Sequence, residues 1–389
     1  MQIGEAGDRL SSTLERLASW GSSRSWVGPD PYEGLNSPLG RIAPGRRGRQ
    51  AVTQAYKRLP LAPAWPLSAA PRPNAKALAL ALSGYATPAG RELPSAGRFL
   101  AELPSRLDEL NLARDGYAWG YPFDVQTRRI RYAPTTPNAI VTCFVVDGLL
   151  DAHAATDDVR CLEMALGARA TLMSLGQSGR APYFAYVPVG ADLIHNANLL
   201  VCGTLARLEE LDPDRTASDA IRAATTTTVE AQRRDGLWPY GEAPGFEWVD
   251  NFHTAYTLDG LQRVERVLGG VSESVERGLS GWRESFVHED GWTPYYKGRR
   301  YPLETHCAAS AIDLLCTTGF REDALRAQAV AERAIAELWI EDDSRFAFRR
   351  TERGLNRREF MRWTNAPMFK ALAALSSLDA TLEPPLATA

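Results

Sequence analysis

The chain has 389 residues, 44% hydrophobic and 23% charged, an ordinary globular composition with enough apolar material for one large core or two smaller ones. Its formal net charge is −3 and it has no long basic stripe, which argues against nucleic acid as a partner. No basic-then-apolar leader opens the chain, no run approaches the ~18 apolar residues of a membrane span, and the five cysteines show no C-x-x-C spacing, so a cytoplasmic protein with reduced, mostly buried thiols is expected.

Met1 to Trp20 reads as one amphipathic helix, and the Gly-, Pro- and Ser-rich stretch from Gly21 to Pro44 as a segment wrapping the surface. The basic run from Arg41 to Arg49 reads as a solvated loop. Beyond it the chain repeats. An Asp-Gly turn followed by aromatics recurs at Asp115-Gly-Tyr-Ala-Trp-Gly-Tyr121, Asp235-Gly-Leu-Trp-Pro-Tyr240 and Asp290-Gly-Trp-Thr-Pro-Tyr-Tyr296. Weaker versions lie at Gly179–Tyr186 and Asp343–Phe348. In register with these turns, a polar residue opens an apolar run of helical spacing at Asn74, Asn138, Asn196, Asn251, Glu304 and Asn365. These runs are apolar nearly all round and predict buried helices; amphipathic segments such as 158–175, 217–234 and 322–338 predict outer ones.

A period of about 55 residues holds two helices and two connections. Six periods predict an all-α (α/α)6 toroid of six helical hairpins with an N-terminal helical extension, an open superhelix being the alternative. The expected organisation is an N-terminal helix and wrapping segment over 1–44, the toroid over 45–380, and a frayed tail over 381–389.

In such a ring the aromatic loops share one end with the starts of the inner helices, where unpaired N–H groups suit an anion. The densest candidate segment runs from Asp235 to Thr254 and holds Trp238, Tyr240, Glu242, Asp250, Asn251 and His253. Asp250 reads equally well as a helix cap. His195, His253 and His306 all fall at inner-helix starts, more than scatter would place there; they come from different helices, so no local spacing supports a metal site, and neither metal nor cofactor is expected. Trp119, Tyr121, Trp238, Tyr240, Trp292 and Tyr296 either seal the barrel end or stack on sugars. Lys297, Arg300 and Arg362 either pair with an acidic sugar or are surface charge.

The strings Trp119-Gly-Tyr-Pro-Phe-Asp124, Thr136-Pro-Asn138, His195-Asn-Ala-Asn198, Asp235–Glu242, Asp250-Asn-Phe-His-Thr254 and Tyr301-Pro-Leu-Glu-Thr-His306 resemble α/α-toroid proteins encoded with bacterial exopolysaccharide and capsule genes. The resemblance runs from about Asn74 to Asn365 and implies a toroid with a glycan-related role. Val249-Asp-Asn-Phe-His-Thr254 is also similar, more faintly, to the aromatic-Asp-aromatic-His-Thr segment that opens a late helix in the C-terminal domain of glucuronyl 5-epimerases, with Asn251 standing where that family has an aromatic.

The expected function is α-proton abstraction on a uronic-acid-containing oligo- or polysaccharide, as 5-epimerase or β-eliminating lyase. His253 is the expected base and Tyr240 or Tyr296 the opposing acid. Asn196 and Asn251 are expected to donate to the carboxylate, with His195 and His306 assisting and Asn138 among the substrate-binding residues. One alternative is a glycoside hydrolase using Asp250 and Glu304, with Glu242 in reserve. The other is a non-catalytic glycan-binding or assembly partner. No Asp-rich run of the terpene-cyclase kind is present. A homodimer is left open.

Overall fold

The computed structural model describes residues 3–59, 65–127, 129–189 and 192–379, so the tail expected to fray lies outside the described residues. Six helices form an inner ring: Ala75–Ala86, Ala139–Thr156, His195–Leu211, Asn251–Leu268, Thr305–Thr317 and Ala366–Asp379. Each packs on the next, and the sixth packs back on the first, so the ring is closed and the open superhelix is ruled out. The outer places are filled by Ala96–Glu109, by Val159–Gly167 continuing as Arg169–Ser174, and by Arg215–Glu230, Ser272–Phe286 and Arg321–Leu338. The N-terminal helix Ile3–Ser23 packs on the sixth inner helix and takes its outer place. The chain's first helix thus completes its last hairpin. Trp26 locks this seam: it is fully buried, edge-on to Tyr85 of the first inner helix at 6.0 Å and tilted against Phe369 of the sixth at 4.7 Å.

The inner helices are apolar because neighbours cover every side. Ala139–Thr156 is long and apolar enough, by length and composition, to cross a membrane, but its apolar surface is taken up inside the ring. Asp147, Gly148 and Asp151 break its apolar run, so the sequence shows no uninterrupted apolar stretch of span length there. Asn74, Asn138 and Asp250 cap their helices through side-chain oxygens that accept from Lys76, Val141 and His253 N–H groups. Asn196 stands one residue inside its helix, behind His195.

The Asp-Gly turns have a common physical reason. Gly116, Gly236 and Gly291 have φ of 78°, 78° and 76°, the left-handed region that glycine enters without cost. Each also lies against the next outer helix, where an added Cβ would overlap the carbonyl of Gly167, Arg277 or Ala329. The turns therefore wedge one repeat onto the next. Gly291→Ala combines a left-handed backbone with a backbone clash and is expected to destabilise the protein by more than the ~1–2 kcal/mol of the conformational penalty alone, read by chemical denaturation.

A second repeated feature builds the barrel mouth. The N–H of the first residue of an inner helix donates to the carbonyl of an aromatic residue in the following loop: Ala139 to Tyr186 at 2.9 Å, His195 to Tyr240 at 3.1 Å, Asn251 to Tyr295 at 3.0 Å and Thr305 to Phe348 at 3.2 Å. These bonds satisfy helix-start donors that have no partner within the helix. Short antiparallel ribbons, which the helical periodicity did not announce, stiffen the same loops. One ribbon joins Val125–Gln126 to Arg131–Tyr132, and another pairs Glu304 with Arg349.

Below the mouth, Phe144 and Tyr256 meet edge to face at 5.4 Å across the barrel interior. Beneath them lies a charged cavity of about 260 Å3. Its ion pairs are internally matched: Arg207 and Arg263 hold Asp147 at 3.0 and 2.6 Å, Arg263 holds Asp259 at 2.9 Å, and Lys370 holds Asp313 at 2.5 Å.

Candidate active site

The mouth encloses a cavity of about 680 Å3. The shared N–H rule brings Tyr186, Tyr240 and Tyr295 to its wall. Its roof is the helix Gly45–Arg58, which contributes Gln50, Gln54, Lys57 and Arg58. That helix is tied down by Arg49 Nε donating to Gln126 Oε1 at 2.9 Å and Gln50 Nε2 donating to the Thr127 carbonyl at 3.0 Å. The basic run at Arg41–Arg49 is thus no loop; it ends in the roof helix. Nearby, Asp30 of the N-terminal segment pairs with Arg362 through both carboxylate oxygens, at 2.5 and 2.9 Å.

Two imidazoles face the cavity from neighbouring inner helices. Asp250 caps its helix by accepting from His253 N–H at 3.1 Å, and its other oxygen lies 2.7 Å from His253 Nδ1 and 3.1 Å from Trp248 Nε1. A carboxylate only accepts, so Nδ1 carries a proton, and in the neutral ring Nε2 is the nitrogen left with the lone pair. Tyr240 stacks on Trp248 at 4.4 Å and meets the His253 ring edge-on at 4.7 Å, fixing its plane. His306 Nδ1 lies 3.0 Å from the Trp363 carbonyl, so its Nε2 is the acceptor for the Tyr256 hydroxyl at 3.0 Å. Burial, helped by the charges of Lys76 and Arg362, holds His306 well below the usual 6.5 and keeps it neutral. Phe252 separates the two rings, 3.9 Å from His253 and 4.7 Å from His306 between centroids.

Glu304 is buried at the cavity wall, held by Arg349 at 3.3 Å and facing Trp363 Nε1 at 3.5 Å. The ribbon pairing of Glu304 with Arg349 places that guanidinium. Lys57 lies over the Trp363 ring at 4.6 Å, and burial lowers its pKa against the opposing pull of Glu304. Burial raises the pKa of Tyr121, Tyr186 and Tyr256 well above 10, so these hydroxyls stay protonated.

Of the residues singled out from sequence, His253, His306, Glu304, Tyr240, Tyr296, Tyr121, Asn196 and Arg362 line this cavity, and Arg362 is buried rather than surface charge. Asp250 stands behind His253, 2% exposed. His195 does not line the cavity; its nitrogens bind Thr228 at 3.1 Å and Glu242 at 2.8 Å. Asn138 is spent as a cap, and Asn251 is fully buried between the indole N–H of Trp282 at 2.9 Å and the Pro294 carbonyl at 3.2 Å, which leaves it no access to a substrate carboxylate. Trp119, Trp238 and Trp292 are buried, with their N–H groups on the carbonyls of Leu107, Thr228 and Arg300, the sealing role rather than the stacking one. Lys297 and Arg300 lie on the outer surface beside Asp235 and Asp290.

Sequence reading missed Lys57, Lys76, Arg349, Tyr256 and Trp363. Lys76 carried a signal: it is the one charged residue in the run Ala75–Leu82, inside an otherwise apolar helix. Lys57 carried none, since it reaches the site only through the fold of the N-terminal segment.

Among the described residues no group of three or more His, Cys, Asp and Glu side chains is placed to hold a metal ion. His306 and His195 are both held below the usual 6.5, His195 chiefly by burial. The unfolded chain therefore binds more protons than the folded one below pH ~6.5, and stability should fall as pH drops through that range, by about 1.4 kcal/mol for each unit of depression. Denaturation at pH 7.5 and 5.5 should show this loss, and His306→Gln should show less of it.

The fold is that of the (α/α)6 toroids. No protein-family model and no curated protein matches the sequence. Solved structures match by shape. Cellobiose 2-epimerase from Bacillus thermoamylovorans superposes with a TM-score of 0.62 at 11% identity, over 79% of this chain and 88% of that one. An unsaturated glucuronyl hydrolase specific for heparin gives 0.60 at 12%, over 95% and 98%. A GH76 α-mannanase from Bacteroides thetaiotaomicron gives 0.60 at 15%, over 79% and 87%. At these identities the likeness is one of fold.

Proposed function

We propose that this protein is a carbohydrate-active enzyme that removes and returns the proton α to the carboxylate of a uronic-acid-containing glycan, acting as a 5-epimerase. The observation that carries the reading is the Asp250–His253 pair, whose imidazole lines an aromatic-walled cavity beside the neutral imidazole of His306. Asp250 fixes the tautomer and stabilises the imidazolium that forms when Nε2 takes a proton. The Tyr256–His306 pair lies across Phe252 on the next helix and is the second proton-handling group that inversion requires. Tyr240, Trp248 and Trp363 offer flat faces to a sugar ring. The charged lining favours an acidic substrate: Lys57, Arg58, Lys76, Arg129, Arg349 and Arg362 stand against Asp192 and Glu304. The toroid folds it resembles include a sugar epimerase, a glucuronyl hydrolase and a mannanase, which supports a carbohydrate substrate.

Hydrolysis by Asp250 and Glu304 fits less well. Both oxygens of Asp250 are committed to His253 and Trp248, and it does not line the main cavity, so Glu304 has no partner carboxylate from that position.

The test is exchange of the sugar H5 in D2O, followed by NMR across a panel of uronic-acid oligosaccharides. Loss of the H5 signal with recovery of the C5 epimer supports the reading. An unsaturated product absorbing in the ultraviolet would assign a lyase instead. Release of reducing ends without H5 exchange would overturn proton abstraction in favour of hydrolysis.

A further inference from the structure

We infer that the floor of the cavity is a carboxylate subsite and that Lys76 is the residue selecting an acidic sugar over a neutral one. This rests on the proposed proton abstraction for its chemical setting, though its own observations are separate.

Lys76 occupies the second position of the first inner helix and is 3% exposed. Its ammonium stands 3.7 Å from the Phe144 ring centroid and 5.1 Å from that of Tyr256, the two aromatics that divide the mouth from the charged cavity beneath. It lines the upper cavity, and among the described residues it has no carboxylate or hydrogen-bond acceptor as partner. Of the other cations lining this cavity, Arg362, Arg349 and Arg129 each hold an acid, and Lys57 stands over the Trp363 ring at the roof. The acids of the lower cavity are taken up by Arg207, Arg263 and Lys370, which leaves none for Lys76.

Aromatic faces attract a cation but do not replace the counter-charge that a desolvated ammonium needs. Burial and then Arg362 pull the Lys76 pKa well down, and the opposing pull of Asp30, which is itself paired with Arg362, does not offset them. A ligand carboxylate set on the floor supplies that charge. His306 is close to this floor, its Nε2 3.0 Å from the hydroxyl of the same Tyr256 whose ring lies beside the ammonium, and His253 follows across Phe252. When His253 Nε2 takes the C5 proton, the C5–H electron pair moves into the C5–C6 bond and the negative charge passes to the carboxylate oxygens beside the ammonium. The same contact therefore strengthens as the proton leaves.

The experiment compares the full-length protein with Lys76→Met and Lys76→Arg. Probes are methyl glucuronoside and methyl glucoside, then the corresponding disaccharides, with binding read by saturation-transfer NMR and calorimetry. Wild type should prefer the acid at least about tenfold, Lys76→Met should lose the preference, and Lys76→Arg should keep part of it. Without ligand, Lys76→Met should melt at or above the wild-type temperature, since it removes an unpaired buried charge. A lower melting temperature would mark Lys76 as a structural residue and overturn the proposal. So would equal binding of acid and neutral sugar by wild type, or an unchanged preference in Lys76→Met. H5 exchange is scored separately: acid preference without exchange leaves the subsite standing and removes the epimerase reading, while exchange without acid preference does the reverse.

Discussion

Replacing His253 by glutamine should lower the rate of H5 exchange by about 10²–10⁴-fold, the range expected when a positioned general base is lost. The variant is a clean one. Asp250 caps the helix through the backbone N–H of residue 253, so the cap survives the change of side chain. Glutamine also keeps a polar group facing Asp250 and the cavity. Thermal melting within a few degrees of wild type, together with the rate loss, would place the effect in chemistry rather than folding. Asp250→Asn should follow with a large loss of its own, because an amide that donates where the carboxylate accepted favours the wrong imidazole tautomer. Full exchange activity in His253→Gln would remove His253 as the base and turn attention to His306.

Trp26→Ala should cost about 3–5 kcal/mol, the usual range for emptying a fully buried indole site. Trp26 stands at the seam where the ring closes, between Tyr85 of the first inner helix and Phe369 of the sixth. Asp30, which pairs with Arg362 at the cavity, lies a few residues further along the same segment. Urea denaturation should therefore show the stability loss, and substrate binding should weaken at denaturant concentrations well below global unfolding. A ΔΔG under about 1 kcal/mol would mean that the seam is held elsewhere, by the helix Ile3–Ser23 on its own.

The ring was legible because its two signals are local. The apolar runs after Asn74, Asn138, Asn196 and Asn251 mark buried helices, and the Asp-Gly-aromatic turns mark the wedges between repeats. The site was legible where it grew from those same segments: His253 and Tyr240 sit in the densest of them, and Glu304 and His306 open the next inner helix. It was not legible where long-range folding brings in residues of ordinary local context. Lys57 lies on a helix whose role depends on crossing the mouth, and Arg349 reaches Glu304 through a ribbon of two-residue strands. The reading also over-collected. Trp119, Trp238 and Trp292 share the mouth motif with the lining tyrosines, but the indole N–H draws each tryptophan inward to a backbone carbonyl. Asn251 is kept from the cavity in a similar way: Trp282 and Pro294 use its amide to tie an outer helix and a loop to the inner ring.

The bonds from Ala139, His195, Asn251 and Thr305 to the carbonyls of the next loop run from main chain to main chain. Nothing in that frame depends on which side chains the four residues or their aromatic partners carry. A chain built this way can exchange the side chains around its mouth one at a time without redrawing the loops that present them. Such a scaffold tolerates wide change of sequence around its mouth while the shape is kept.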